Sequence, residues 1–281
     1  AVGRAEGGES PPRLAEALRY TLFPGGARVR PMLCLSVARA CGDDIPALSD
    51  AAGAAIELLH CASLVHDDMP CFDDADLRRG KPAVHRAFGE PLALLTGDGL
   101  IVMAFEVLAH ASAGAGAEAP RRLAGLVAAL TRATGMPNGI VAGQAWESEP
   151  EISRAPDDAA STAPLFVAAT RMGALAAGAD PTPWRTLGDR LGEAYQVADD
   201  LRDALATEEE LGKPVGQDGL HGRPNAVTEF GIEGAVARLE QLLAEASDSI
   251  PPCAGEAELR QLVAVQGKRL MPRALAPVSV A

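Results

Sequence analysis

Apolar residues recur at intervals of three and four along most of this chain, which is the spacing of amphipathic α-helices. The pattern predicts ten helical segments, with a break inside the fourth at Glu90-Pro91. They cover residues 12–23, 29–40, 47–68, 83–111, 121–134, 139–146, 165–178, 184–206, 234–247 and 255–271. We therefore expect an all-α fold, a bundle of about a dozen mostly antiparallel helices.

The composition agrees with closely packed helices. Of the 281 residues, 48% are hydrophobic but only 4% are aromatic, and alanine is plentiful. This favours helices over a sheet built from aromatic and β-branched residues. One domain is expected over residues 12–271, between a disordered Gly/Ser/Pro-rich tail at 1–11 and a loose tail at 272–281.

Charge and cysteine usage exclude several classes of protein. The net charge of −13 argues against nucleic acid and anionic membrane surfaces as partners. Neither a membrane-length apolar run nor a signal peptide is found, so stable membrane insertion is not expected. The five cysteines are odd in number and lack CxxC spacing, which indicates buried thiols in a reducing cytoplasm.

Five carboxylates crowd into ten residues after an apolar segment, and two arginines, Arg78 and Arg79, follow them. The five are Asp67, Asp68, Asp73, Asp74 and Asp76. So many like charges beside a core need a neutralising partner. Oxygen ligands suit Mg²⁺ or Ca²⁺, and arginine suits phosphate. A solvated acidic turn is the alternative interpretation.

A second acidic cluster favours the metal interpretation. Asp199, Asp200 and Asp203 form a DDxxD motif, in which the first and last aspartates share a helix face. Gln196 lies on that face, and Lys213 follows the motif. Two such clusters, each trailed by basic residues, predict one shared metal–phosphate site.

The two motifs, DDxxxxD at 67–73 and DDxxD at 199–203, resemble the aspartate-rich motifs of the trans-isoprenyl diphosphate synthases. The resemblance extends from FPGGARVRP at 23–31 to GRPNAV at 222–227. Within that family it points to bacterial geranylgeranyl diphosphate synthases of carotenoid and bacteriochlorophyll pathways. It implies an isoprenoid synthase fold with a deep central cavity, and a homodimer.

The resemblance also implies a Mg²⁺-dependent prenyl transfer from an allylic diphosphate to isopentenyl diphosphate, with three Mg²⁺ per site. The implied metal ligands are Asp67, Asp68, Asp73, Asp199, Asp200 and Asp203. Isopentenyl diphosphate would be held by Arg30, His60 and Arg79, and further diphosphate contacts would come from Arg78, Lys213 and Arg223. Gln196 and Thr162 would stabilise the allylic cation, and Lys213 would assist catalysis.

Two family lysines are replaced here, by Ala27 and Ser161, which puts catalytic strength in question. Ala62 and Ser63 precede the first motif, where an aromatic residue would limit the product to fifteen carbons. Their small side chains predict a twenty-carbon product, with a deeper floor at Phe105 or Met103.

Four other functions remain open from the sequence. A terpene cyclase uses similar motifs, and His66-Asp67 fits a metal phosphohydrolase of the His-Asp type. A non-catalytic or weakly active subunit of a true synthase, or a farnesyl diphosphate synthase, is also compatible. The enzyme hypothesis requires both aspartate motifs to meet at one cavity.

Overall fold

The computed structural model describes residues 3, 7, 10–23, 26–149, 163–205 and 225–272. Eleven α-helices and one two-stranded hairpin lie within these residues. They are α1 (Pro12–Leu22), α2 (Val29–Ala40), α3 (Pro46–Asp67), β1 (Leu77–Arg78), β2 (Lys81–Pro82), α4 (Val84–Phe88), α5 (Glu90–Gly114), α6 (Ala119–Thr134), α7 (Ile140–Glu147), α8 (Ala163–Ala176), α9 (Arg185–Leu205), α10 (Ala226–Asp248) and α11 (Glu256–Leu270). The expected all-α class is confirmed.

Prolines begin several of the helices. Pro12, Pro46, Pro91 and Pro120 all stand in the first two positions of a helix, where a missing N–H breaks no intrahelical bond. The predicted break at Glu90-Pro91 is confirmed, because Gly89 separates α4 from α5 with a φ of 91°. This position favours glycine, since a side chain there would be strained.

Helix α3 lies at the centre of the bundle and packs against α2, α5 and α8. Between Leu48 and Leu59 all but two of its residues are buried, including Leu48, Ala52 and Ile56. Its C-terminal end lines a cavity together with residues of α5, α7 and α8. The helix that forms the core therefore also delivers the first acidic motif to the cavity.

Helices α8 and α9 approach closely because glycine faces the contact. A Cβ at Gly188 would lie 2.5 Å from the Cα of Val167, and one at Gly192 would lie 2.3 Å from the Cα of Ala163. The obstacles are backbone atoms, which cannot swing aside. Small residues at this crossing therefore decide how α9, which carries the second motif, sits against α8.

Three features differ from the sequence predictions. The hairpin between β1 and β2 was not predicted; Arg79 and Gly80 form its turn with φ values of 54° and 75°, as a type I′ turn requires. Helix α5 continues to Gly114, three residues past the predicted end. Helix α10 starts at Ala226, eight residues early, because Asn225 caps it and a kink at Gly231 joins two helical pieces.

The cysteine prediction holds only in part. All five thiols are free, and Cys34 and Cys61 are buried as expected. Cys71 is exposed, however, and Cys41 and Cys253 are only partly buried. Cys71 lies in the loop that carries the first acidic motif, which runs over the surface.

Two helices are long and apolar enough to cross a membrane by length and composition, although no such run was recognised in the sequence. They are α3, whose apolar window is 72% buried, and α5, whose window is 39% buried. The burial of α3 is that of a soluble core helix. Helix α5 leaves part of an apolar face exposed.

We expect Gly188→Ala to lower the free energy of unfolding by about 1–3 kcal/mol, because its Cβ would press on the backbone of α8. Gly114→Ala is the matched control, since nothing lies within 4 Å of a Cβ there. That control should be neutral or stabilising by at most about 1 kcal/mol. Urea unfolding measures both, and equal effects would contradict the close crossing.

Candidate active site

The first acidic motif starts where α3 ends. Helix α3 stops at Asp67, three residues before Pro70, and the chain turns back on itself. The backbone N–H of Asp73 donates to the carbonyl of Asp67 (2.9 Å), and that of Ala75 donates to the carbonyl of Asp68 (3.1 Å). The prediction that the interrupted helix returns Asp73 to Asp67 is confirmed.

Asp68 and Arg78 are paired with each other. The Asp68 side chain is almost fully buried, and Arg78 Nε donates to its two oxygens at 3.0 and 3.1 Å, with a further bond from Nη2. Both were predicted to contact ligands, one as a metal ligand and the other at a diphosphate. The structure gives them a mutual contact that fixes β1 to α3, and their roles toward ligands stay predictions.

Asp67 lines the cavity, and its surroundings oppose its charge. Burial, followed by the neighbouring Asp73 and Asp68, raises the pKa of its carboxyl group to about 7 against the pull of Arg78. A divalent cation would relieve this repulsion. The acidic oxygens therefore suit a hard cation such as Mg²⁺.

Within the described residues, no three His, Cys, Asp or Glu side chains stand close enough to hold a metal by themselves. Mg²⁺ usually takes one or two carboxylates and completes its shell with water and phosphate oxygens. The donors present fit an ion of that kind when it arrives with a diphosphate.

Basic residues line the same cavity or lie near it. Arg30 and His60 both line it. The Arg30 guanidinium lies 4.5 Å from the centre of the Phe166 ring, and its Nε is buried without a hydrogen-bond partner among the described residues. Burial lowers the pKa of His60 well below its usual range, and Arg30 and Arg79 lower it further. His60 is therefore neutral at pH 7.

The turn before α2 contacts a second arginine of this group, Arg79. The Arg79 guanidinium lies against Gly26, where a Cβ would be 2.5 Å from its Cζ. A larger residue at 26 would displace the Arg79 guanidinium from this place. The neighbouring Arg28 points elsewhere, because it pairs with Glu57 (2.5 Å) and donates to the Leu22 carbonyl. It does not replace the lysine missing at Ala27.

The second motif lies near the end of α9. Asp200 is buried; its Oδ1 accepts from Gln196 Nε2 (3.1 Å), and its Oδ2 accepts from the N–H of Ala226 (2.8 Å). Asp200 and Gln196 therefore join α9 to the start of α10. Asp199 pairs with Arg202 one turn away. The predicted roles of these side chains toward metal and allylic cation stay predictions.

Arg30 lies near an aspartate of each motif. It lines the cavity with Asp67, and the charge of Asp199 acts on it, raising its pKa while burial lowers it. Asp67 is the one motif aspartate among the described residues that lines the cavity. Both motifs therefore border one cationic region, although the structure does not assemble their six carboxylates around a single point.

The cavity has a volume of about 900 Å³. Ala62 and Ser63 line it, and so do Ile101 and Phe105 of α5. Met103, the other residue predicted as a possible floor, is buried in the core and does not line it. A volume this large lies at the upper end of ligand pockets, which span about 300–1,000 Å³.

Glu147 is a candidate that the sequence prediction missed. It ends α7, lines the cavity and contributes to the raised pKa of Asp67. Gln144, three residues earlier, donates to its carboxylate (3.4 Å). The i,i+3 spacing within GQAWE was the available signal.

Four residues discussed from the sequence lie outside the described residues. These are Ser161, Thr162, Lys213 and Arg223.

A helical bundle around one deep cavity, with carboxylates and cations at one end and apolar walls beyond, is the arrangement of an isoprenoid synthase. Residues 11–264 match the family model described as polyprenyl synthetase, and the chain belongs to that family. It is a prenyltransferase.

Individual relatives support this family assignment. The chain is 60% identical over 276 residues to geranylgeranyl diphosphate synthase of Cereibacter sphaeroides, covering 98% of this chain and 94% of the relative. Among solved structures it is similar to a FPP/GFPP synthase from Zymomonas mobilis, with a TM-score of 0.77, 32% identity and coverage of 92% and 90%. A geranyltransferase from Helicobacter pylori, complexed with magnesium and isoprenyl diphosphate, matches with a TM-score of 0.76, 28% identity and coverage of 92% and 89%.

We expect Asp67→Asn to stabilise the metal-free chain above pH 7. The folded carboxyl group, with a pKa of about 7, holds a proton that the unfolded chain releases near pH 4. The stability that comes from this raised pKa is therefore fully present below pH 4. It is lost progressively as the pH rises from 4 through 7.

The Tm should rise by about 2–4 °C at pH 8 for each kcal/mol regained, and should rise less at pH 5, where only the stability lost between pH 4 and 5 is regained. Thermal unfolding in EDTA from pH 5 to 8.5 measures this. Asp50→Asn, an exposed position on the same helix, is the control. Parallel Tm profiles for Asp67→Asn and the unmodified chain would contradict the assignment.

Proposed function

We propose that this prenyltransferase is Mg²⁺-dependent and makes geranylgeranyl diphosphate from isopentenyl diphosphate and an allylic diphosphate. One observation carries the proposal: a large apolar cavity that has Asp67 together with Arg30 and His60 on its lining. Relatives with the same printed activity support the product.

Arg30, His60 and Arg79 are assigned to the diphosphate of isopentenyl diphosphate. In the described part of the chain neither arginine forms an ion pair, although acidic residues outnumber basic ones by 38 to 25. Cations left unpaired in an acidic protein, near enough to lower the pKa of His60, favour an anionic ligand. His60 contributes a neutral N–H donor there.

When bound, Mg²⁺ would supply positive charge to the leaving diphosphate. Asp67 and Asp73, and from the second motif Asp199, Asp200 and Asp203, are assigned to hold up to three such ions. Asp68 is assigned with them, although Arg78 occupies its carboxylate here. Lys213 and Arg223 are assigned to diphosphate contacts.

The reaction breaks the allylic C–O bond and forms a C–C bond. The double bond of isopentenyl diphosphate attacks the allylic cation, and a proton leaves the adduct for the released diphosphate. The chain holds the two substrates together and excludes water with apolar walls such as Ile101, Ile140 and Leu165. Gln196 and Thr162 are assigned to stabilise the cation through their oxygen atoms.

Product length would follow from what lines the cavity beyond Asp67. Ser63 lies one helical turn, about 5.4 Å, before Asp67, and Ala62 precedes it. Neither side chain obstructs the space toward α5, where Phe105 lies on the wall. We assign Phe105 as the floor for a twenty-carbon chain.

The assembly is proposed to be a homodimer in the cytoplasm. Helix α5 exposes an apolar stripe, with Leu94 48%, Leu95 49% and Val102 67% exposed. A second copy of the chain covering this stripe would remove it from water.

The product of the purified chain tests the proposal. With isopentenyl diphosphate, farnesyl diphosphate and Mg²⁺, we expect geranylgeranyl diphosphate as the main product, and none with EDTA. Chromatography of the dephosphorylated alcohols identifies the chain length. A hydrocarbon from geranylgeranyl diphosphate alone would indicate a cyclase, and free phosphate without chain growth a hydrolase. No product without a partner protein would indicate an inactive subunit.

Ser63→Phe should shorten the main product to fifteen carbons, because the ring would close the cavity one turn below Asp67. Geranyl diphosphate and isopentenyl diphosphate are supplied, and product lengths are compared. Ser63→Ala, which keeps the space open, is the control and should still make twenty carbons. An unchanged product from Ser63→Phe would mean that the chain grows along another path.

A further inference from the structure

The loop of the first motif carries more carboxylates than a metal can use, and the structure pairs some of them with arginines. Arg78 forms an ion pair with Asp68. Arg86, near the start of α4, reaches two others: its Nη2 lies 3.1 Å from Asp74 Oδ1 and its Nε lies 2.7 Å from Asp76 Oδ1. One guanidinium therefore holds the loop at two points, on either side of Ala75.

We propose that Arg86, supported by His85, is a positioning residue that holds Asp74 and Asp76 away from the cavity, so that Asp73 stays beside Asp67. This inference rests on the proposed function, since it concerns how the same site takes up its divalent cation. Neither Arg86 nor His85 belongs to the aspartate motifs.

The backbone shows how anchoring Asp74 directs Asp73. Asp74 has a φ of 46°, a left-handed conformation uncommon for a non-glycine residue, and its N–H donates to the Met69 carbonyl (3.1 Å). The preceding N–H, that of Asp73, donates to the Asp67 carbonyl (2.9 Å). Such a conformation persists only where its surroundings hold it. Arg86 contacts the side chain of this residue.

His85 also lies beside the Asp74 carboxylate that Arg86 contacts. Its side chain is 3% exposed, and neither ring nitrogen has a hydrogen-bond partner among the described residues. Its Nε2 lies 3.8 Å from Asp74 Oδ1, the same oxygen that Arg86 contacts. A buried polar ring facing this carboxylate makes Asp74 the group best placed to satisfy it.

Stability is a poor explanation for these contacts. The side chains of Arg86, Asp74 and Asp76 are 44%, 55% and 79% exposed, and exposed ion pairs stabilise proteins little. Their effect is instead on the direction of the loop. Asp67 and Asp73 repel each other, and an unanchored loop would move away to relieve that repulsion.

Arg86 could affect cation binding through its charge or by positioning the loop, and the two effects predict opposite changes in cation affinity for Arg86→Gln. Loss of a positive charge near a cation site would by itself tighten cation binding. Loss of an anchor would weaken it, by about tenfold if Arg86 acts as outer-shell partners of metal ligands do. We expect the weakening, with kcat at saturating Mg²⁺ within about twofold of the unmodified chain.

The experiment measures Mn²⁺ binding to the full chain with inorganic diphosphate, by loss of the free-ion EPR signal, and the Mg²⁺ concentration at half-maximal activity. Asp74→Asn removes the anchor from the other side and should weaken binding similarly. The double variant should be no weaker than either single variant, because both changes break one contact. Arg86→Lys should restore binding in part, since lysine lacks the fork that reaches both carboxylates.

Arg121→Gln is the matched control, an exposed arginine paired with Glu118 on α6, and should change neither readout. Circular dichroism and Tm confirm that each variant folds; if Arg86→Gln does not, Asp74→Asn alone decides. Unchanged or tighter Mn²⁺ binding in the folded variant would overturn the inference. Failure of the unmodified chain to bind Mn²⁺ with diphosphate would instead overturn the proposed function.

Discussion

Burying carboxylates beside one another raises the free energy of a folded chain, and in this protein that repulsion is concentrated where α3 ends. Asp67 lies at the cavity, where burial and then the neighbouring Asp73 and Asp68 raise its pKa to about 7. A fold keeps such an arrangement only if something compensates it. Arg78 compensates Asp68, and Arg86 compensates Asp74 and Asp76. Asp67 and Asp73 stay close together at the end of this loop.

The helical frame makes this arrangement possible. Helix α3 is buried along most of its length, so its last turn is held rigidly at the cavity. Glycines at the crossing of α8 and α9 let α9 approach closely and bring the second motif toward Arg30. A rigid frame matters in a prenyl transfer, because the protein contributes mainly by positioning two substrates and excluding water.

The arginines of this region also differ in whether they have an acidic partner. Arg28 and Arg78 have buried acidic partners, Glu57 and Asp68. Arg30 and Arg79 form no ion pair within the described ranges, and they depress the pKa of His60. Adjacent arginines in one motif thus have different surroundings. Which of them is paired depends on the local fold, because the hairpin turn places Arg79 against Gly26 while Arg78, one residue earlier, reaches Asp68.

The sequence by itself determined the helical class, nearly all the helices, the break before Pro91 and the family, because periodicity, proline and motif spacing are local properties. It also determined that Asp73 returns to Asp67. Only the tertiary structure decided that Arg28 faces Glu57, that Asp200 joins α9 to α10, that Phe105 rather than Met103 lines the cavity, and that Glu147 lies near Asp67. Side chains with the same local sequence signal differ in these contacts, because the partner of each comes from a distant element whose position depends on packing.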